Sequence, residues 1–250
     1  MRNRLIIGAM ALLMALGACT KSSNDTTNSS GNGVGQGGSL ARYTIVGRYL
    51  YTVDGNSLRI FDLDAAGGPQ LVNQQNIGFS IETIFPFKNY LFIGSSTAMY
   101  IYSLSNPAQP QMMSQTMHFN GCDPVVANDS MAYLTLHGGT VCGSNINELQ
   151  VYDIKDIEQP IWKKSIAMTH PLGLGLYDQY LYVCDQEKGL YVYNVQQGSN
   201  PSLLNTIQGE VFLDVIPDAS TKTLIAMLKD GIALYDLSDP VLLPKLAVVK

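Results

Sequence analysis

Apolar and polar positions recur along this chain in one six-residue pattern, Leu149-Gln150-Val151-Tyr152-Asp153-Ile154, with close copies at residues 58–63, 99–104, 190–195 and 232–237. Taking Asp62, Ser103, Asp153, Asn194 and Asp236 as equivalent, the separations are 41, 50, 41 and 42 residues. A period near 42 is the length of one four-stranded supersecondary unit. Upstream of each copy lies a second strand signal, at Tyr49-Leu50-Tyr51, Tyr90-Leu91-Phe92, Met131-Ala132-Tyr133, Tyr180-Leu181-Tyr182 and Leu224-Ile225. Downstream stands a proline, Pro69, Pro110, Pro160, Pro201 or Pro244. Proline cannot donate to a ladder, so it belongs in the loop before an edge strand. Each unit therefore parses into four short strands.

Alternation within residues 99–104 puts Met99 and Ile101 on one face and Tyr100, Tyr102 and Leu104 on the other. Both faces are largely apolar, as in a sheet packed between two neighbours and unlike a sheet wet on one side. The predicted fold is all-β, a β-propeller of five four-stranded antiparallel blades over about 41–79, 80–120, 121–169, 170–209 and 210–250. The chain begins on the first strand of a blade and ends on the fourth, so no strand is spare to clasp the ring. Closure is expected from face packing between the first and last blades. An open array would leave an apolar face at each end.

The repeats resemble those of bacterial LVIVD-repeat proteins, in which an aliphatic-x-aliphatic-x-Asp-aliphatic strand is followed by a proline-bearing turn and an aromatic strand. Residues 58–63, 149–154 and 232–237 fit that marker, while Ser103 and Asn194 replace its aspartate. An aromatic residue precedes the marker position in all five units. The resemblance implies a propeller-like scaffold and assigns no activity.

Ahead of the repeats, residues 1–18 carry Arg2 and Arg4, an apolar run and the ending Leu16-Gly17-Ala18 before Cys19. This is a secretory signal too short to span a bilayer comfortably. Its ending resembles the lipobox of bacterial lipoproteins, which implies cleavage before Cys19 and lipidation of that cysteine. Residues 19–38 are rich in Ser, Asn, Thr and Gly and read as a flexible tether; residues 39–250 form the propeller. The expected address is the cell envelope, with Thr20 favouring the outer membrane under the best-known lipoprotein sorting rule. The formal net charge of −5 carries no basic run, which argues against nucleic acid. The expected partners are the membrane, through the lipid, and another envelope protein or a glycan.

The third unit is the irregular one, with nine extra residues between Tyr133 and Asp153. Its second-to-third-strand loop and the loop from the preceding blade share a rim, so Cys122 and Cys142 are predicted to form a disulfide in an oxidising compartment. Cys184 reads as a buried thiol. The same rim gathers candidate binding residues Glu82, Asp123, His137, His170, Asp185 and Asp214, with Asp54 and Asp230 in turns of the outer side. Two such acids could process a glycan if held about 5–10 Å apart. The simpler role for them is accepting backbone hydrogen bonds in turns. Trp162 is expected to pack a blade edge. No GxSxG, HExxH or phosphate-cradling loop occurs, and the sequence calls for no metal or other cofactor. The favoured function is a non-enzymatic binding or assembly module, with a glycan-processing enzyme as the alternative.

Overall fold

The computed structural model describes residues 34–35, 37–118, 124–139 and 145–249. Cys19, Cys122, Asp123 and Cys142 lie outside them, and with them the lipidation and the disulfide. The described residues form nineteen antiparallel strands in four sheets. The first sheet runs in chain order through β1 (Val34–Gly35), β2 (Tyr43–Val46), β3 (Tyr49–Asp62), β4 (Gln70–Phe87), β5 (Tyr90–Ser95), β6 (Ala98–Ser103) and β7 (Gln111–Met117). The second holds β8 (Val125–Ala127), β9 (Met131–Leu136), β10 (Glu148–Asp153) and β11 (Ile161–Ala167). The third holds β12 (Pro171–Tyr177), β13 (Tyr180–Asp185), β14 (Gly189–Asn194) and β15 (Ser202–Ile207). The fourth holds β16 (Phe212–Asp218), β17 (Thr223–Leu228), β18 (Gly231–Asp236) and β19 (Lys245–Val249).

The architecture is the predicted all-β propeller, with one correction. Five separate four-stranded blades are expected from the repeat count, and four sheets form, three of four strands and one of seven. The cause is the ladder between the first two units. β3 spans the second and third strands of the first unit, and β4 spans its fourth strand and the first strand of the next. Gly55 of β3 pairs with Ile81 of β4, so hydrogen bonding continues where a blade boundary was expected. The repeat itself is unbroken. A bulge falls at the same point of every marker strand, after Ile60, Ile101, Val151, Val192 and Leu234.

The marker aspartate is a turn residue, as its sequence context suggests. Asp62, Asp153, Asn194 and Asp236 each accept the backbone N–H two residues on through Oδ1, at 2.8–3.1 Å. Ser103 does the same through Oγ at 3.1 Å. One side-chain acceptor is all the turn demands, which is why serine and asparagine can stand in for aspartate.

Four clusters of buried apolar side chains lie between consecutive units. The first joins Tyr51, Leu58 and Ile60 to Ile84, Leu91 and Tyr100. The second joins Phe92 and Ile101 to Val125 and Leu134. The third joins Tyr133 and Val151 to Leu174 and Leu181, and the fourth joins Tyr182 and Val192 to Phe212, Leu224 and Tyr235. Each fully buried Leu, Ile or Phe contributes roughly 1.5–3 kcal/mol, so these interfaces dominate stability.

Polar stitches run alongside in the same direction. The second-strand tyrosine of one unit donates to a turn carbonyl of the next: Tyr51 to Pro107 at 2.8 Å, Tyr133 to Gly198 at 3.1 Å and Tyr182 to Pro240 at 2.9 Å. Burial pushes all three phenols up, Tyr133 to about 12. In the fourth strands, the side chains of Asn73, Ser114 and Asn205 donate to the carbonyls of Ala108, Ile157 and Val241, and Lys164 Nζ donates to Asn200 Oδ1.

Among the described residues, neither device returns from the last unit to the first. None of the four apolar clusters joins β16–β19 to β2 or β3. Closure is instead polar and lies where the first strands converge. Ser39 Oγ donates to Asp214 Oδ1 at 3.0 Å and accepts the Leu174 N–H at 2.7 Å. The Leu40 N–H donates to Asp214 Oδ2 at 3.1 Å, and the Val215 N–H to Oδ1 at 2.9 Å. The segment before the first blade thus ties itself to the fourth and fifth units. The expectation of apolar face packing at this junction is corrected accordingly, since buried hydrogen bonds to a carboxylate do that work. Glycine is required on both sides of it. A Cβ on Gly38 or on Gly173 would stand 2.1 Å from a carboxylate oxygen of Asp214.

Burial raises the Asp214 carboxyl to about 6, against the lowering effect of its hydrogen bonds from Leu40 and Ser39. A folded-state value above the unfolded one near 3.9 means that the folded protein takes up a proton as pH falls through about 6. The cost of the buried charge is present above that pH and is relieved below it. Between pH 7 and 5 this group should therefore raise stability by about 1 kcal/mol as pH falls. Denaturant titrations of the wild type and Asp214→Asn at the two pH values check this, and the variant should lack the increment. Tyr182→Phe should cost about 1 kcal/mol for the lost interunit bond, a fall of about 2–4 °C in Tm by calorimetry.

Candidate functional site

Two regions of the propeller collect functional chemistry, the rim singled out by the sequence and a groove on the outer face of the third unit. On the rim, the loop after β9 and the loop before β12 bring His137 and His170 together, with ring centroids 5.8 Å apart and planes inclined by 30°. This juxtaposition follows from the strand order. Second-to-third-strand loops and loops between units emerge on one side. Among the described residues no group of three His, Cys, Asp or Glu side chains is arranged to hold a metal ion.

The acids of this rim differ in what they bind, and Asp185 is the one committed to the backbone. Asp185 is fully buried at the end of β13. Its Oδ2 accepts the N–H groups of Thr169 and His170, both at 3.0 Å, and its Oδ1 those of Glu187 and Lys188 at 3.0 and 3.1 Å. It therefore pins the loop bearing His170 to the β13–β14 turn. Ser95, at the same place in the second unit, holds its own turn with one hydroxyl, accepting from Thr97 N and Ala98 N and donating to Ala98 O. Asp54, in the first unit, accepts from Ser57 Oγ at 2.6 Å and pairs with Arg59. The Ser57 hydrogen bond and the Arg59 charge hold its carboxyl below the usual range. Glu82 is half-buried, and burial raises its carboxyl while Arg42 opposes the rise. Cys184 lies beneath this rim as a free thiol, fully buried and pushed up by burial and by Asp214 and Asp185.

Asp214 is enclosed by Gly38, Ser39, Leu40 and Gly173 and does not face an open pocket. Beside it, Phe85, Val126, Leu174, Val215 and Ser39 surround an axial cavity of about 20 Å³. That is room for a single water. A wider funnel of about 340 Å³ opens on the other rim, among Phe85, Phe87, Asn128, Leu176 and Asp178. The structure thus gathers His137, His170 and Asp185 on one rim, seals Asp214 into the axis, and leaves Asp123 undescribed.

A larger concave surface lies elsewhere among the described residues. A groove of about 800 Å³ separates the end of β7 from the face of β10 and β11. Its wall on β10 is the alternating row Glu148, Gln150 and Tyr152. The Tyr152 hydroxyl donates to Gln150 Oε1 at 2.8 Å, and Gln150 Nε2 donates to Glu148 Oε1 at 2.6 Å. Trp162 stands directly opposite Tyr152 on β11, and Ser165 opposite Gln150. Thr116, Met117 and His118 form the facing wall. Trp162, expected to pack a blade edge, is 54% exposed over this groove.

Comparable grooves recur between units, as one of about 560 Å³ lined by Gln75, Tyr100, Tyr102, Met112 and Gln115 demonstrates. The third unit's version differs in chemistry. At the place of Glu148 the other units have Ser57, Ala98, Gly189 and Gly231, and at the place of Gln150 they have Arg59, Tyr100, Tyr191 and Ala233. Opposite the marker aromatic they carry Leu71, Met112, Leu203 and Lys245 in place of Trp162. Aligning the five markers makes these departures visible in sequence, but the length of the insertion draws the eye to the rim.

Asp185→Ala should leave four partly buried N–H groups without their acceptor and destabilise the protein by about 2 kcal/mol, with Asp185→Asn intermediate. Chemical denaturation of the two variants checks the order. In comparisons with known proteins, residues 173–208 match the LVIVD repeat. No curated protein matches the chain by sequence. A functionally unknown protein from Desulfotomaculum acetoxidans is similar in structure with a TM-score of 0.65 at 10% identity, over 84% of this chain and 67% of that one. The periplasmic gluconolactonase PpgL of Pseudomonas aeruginosa gives 0.61 at 14% identity, over 81% and 67%. A protein from Lactobacillus plantarum gives 0.66 at 16%, over 80% and 67%. At such identities the likeness is one of fold. With its four-sheet ring and a matched repeat at residues 173–208, the chain is a β-propeller that carries an LVIVD repeat.

Proposed function

We propose that the protein is a cell-envelope lipoprotein, anchored to the outer membrane through acylated Cys19, whose propeller serves as a non-enzymatic binding or assembly module. The observation that carries the second half is how the acids are used. Asp185 spends its carboxylate on four backbone N–H groups, and Asp214 spends its own on Ser39, Leu40 and Val215. Glycan hydrolysis needs two carboxylates facing one substrate-sized space, and beside Asp214 the axial space is water-sized. Binding needs only a concave surface with a few placed polar groups, which the groove beside Trp162 supplies. The gluconolactonase of similar fold lends the scaffold and, at 14% identity, no residue assignments.

The anchor rests on the sequence alone, on Leu16-Gly17-Ala18-Cys19 after a charged and apolar leader. Metabolic lipid labelling with membrane fractionation tests it. The wild type should be labelled and sediment with envelope membranes, whereas Cys19→Ala should be unlabelled and soluble. Labelling that persists in the variant overturns the anchor. Crosslinking in intact cells tests the module. A discrete envelope partner or glycan adduct is the expected outcome, and a chain that crosslinks to nothing overturns the binding reading.

A further inference from the structure

We propose that the groove on the outer face of the third unit is a saccharide site for a neutral chain of about two or three sugar rings. This names a ligand class for the binding module and rests on that reading. The geometry comes first. Glu148, Gln150 and Tyr152 occupy alternate positions on β10, so the row spans about 13 Å at strand spacing. One end of it carries a carboxylate, and the other lies opposite an indole more than half exposed. A groove of about 800 Å³ over this row is long enough for a short oligosaccharide and too open for a compact ligand.

The chemistry fits the two kinds of surface a pyranose presents. Its C–H face is apolar and packs on an aromatic plane, which Trp162 offers with Met117 and Ile146 close by. Its hydroxyl edge needs hydrogen-bond partners, and Glu148, Ser165 and Thr116 line the same space. The carboxylate is placed for this work by its neighbours. Gln150 is held by the Tyr152 hydroxyl through its oxygen and holds Glu148 Oε1 through its nitrogen. Among the described residues Glu148 Oε2 has no bond. Hydroxyl donors to an ionised carboxylate make stronger bonds than neutral pairs do. Gln150 is thus a positioning residue, and Glu148 and Trp162 are the contact residues.

Charge narrows the class. Among the described residues Glu148 is the only acid lining the groove, His118 stands on the facing wall, and neither Lys nor Arg lines it. The lysines nearest on β11 are used elsewhere, Lys163 with Asp153 and Lys164 with Asn200. A uronic or phosphorylated sugar would meet the Glu148 carboxylate, and like-charge juxtaposition disfavours it. The other units confirm that scaffold needs do not dictate this arrangement, because at the places of Glu148, Gln150 and Trp162 they carry unrelated side chains without harm to the fold.

Trp162 is the one tryptophan in the chain, so its emission reports directly on the groove. The mature full chain is titrated with chitotriose, cellotriose, trigalacturonate and benzyltrimethylammonium. The expected result is a saturable change in emission with a neutral trisaccharide and none with trigalacturonate. Calorimetry should then show affinity reduced about tenfold or more in Trp162→Ala and in Glu148→Gln, with unchanged thermal midpoints. Three outcomes overturn the site: no saturation by either neutral trisaccharide up to about 10 mM, binding confined to benzyltrimethylammonium or trigalacturonate, or variants that bind as the wild type does. An envelope protein captured by crosslinking together with a silent saccharide titration would overturn this inference and leave the binding module standing.

Discussion

Each unit of this propeller is apolar on both faces, so no unit can stand without a neighbour, and that constraint organises everything else. Ile84, Leu91 and Ile93 in one unit and Leu149, Val151 and Tyr133 in the next are wholly or almost wholly removed from water because a neighbouring unit lies against them. Burial of this kind is nondirectional. It explains why sheets stack but not in which order or register. Direction comes from the polar stitches, since a tyrosine hydroxyl on the second strand and a short polar side chain on the fourth each reach forward into the turn of the following unit. Only one unit in the series lacks a successor, and there the chain uses a different bond type.

That exception decides what the axis is for. Closing the ring through Ser39 and Asp214 places a carboxylate between Gly38 and Gly173, fills the space where the first strands converge and fixes Leu174 in the fourth unit. The carboxyl's raised titration, read in isolation, would suggest a catalytic acid. Its surroundings give it a structural task, because every approach to it is occupied by the protein's own backbone and Ser39. Asp185 follows the same logic on the rim. Concave space with placed polar groups is then found on the outer flank, in the gap between adjacent units.

How far the sequence could be read is best judged residue by residue. Asp153 has a local role, a hydrogen bond from the N–H two residues ahead, of the kind that turn acids are expected to make. The four-stranded parsing also holds for the last three units, since strand period and turn residues are properties of neighbouring positions. The separation of the first two blades does not hold, because Gly55 pairs with Ile81 across a distance in sequence that no local pattern records. The position of Trp162 beside the Pro160 loop suggests a packed edge. Its exposure depends on how far the end of β7 stands from the third unit's face, and that is an interunit distance. His137 and His170 do meet on one rim, as the loop geometry requires, yet the carboxylate below them serves the backbone.

The sequence by itself determined the all-β repeat, the position of the marker strand and its turn, and the alternation that makes both faces apolar. These follow from the periods of the backbone and the solvation of side chains, which act over a few residues. Tertiary structure alone decided how the ring closes, which acids are sealed into hydrogen bonds and where an open groove remains. Those outcomes depend on pairs such as Ser39 with Asp214 and Tyr133 with Gly198, which are distant along the chain. Their meeting is a consequence of the packed arrangement of whole units, and nothing in the residues flanking either partner encodes it.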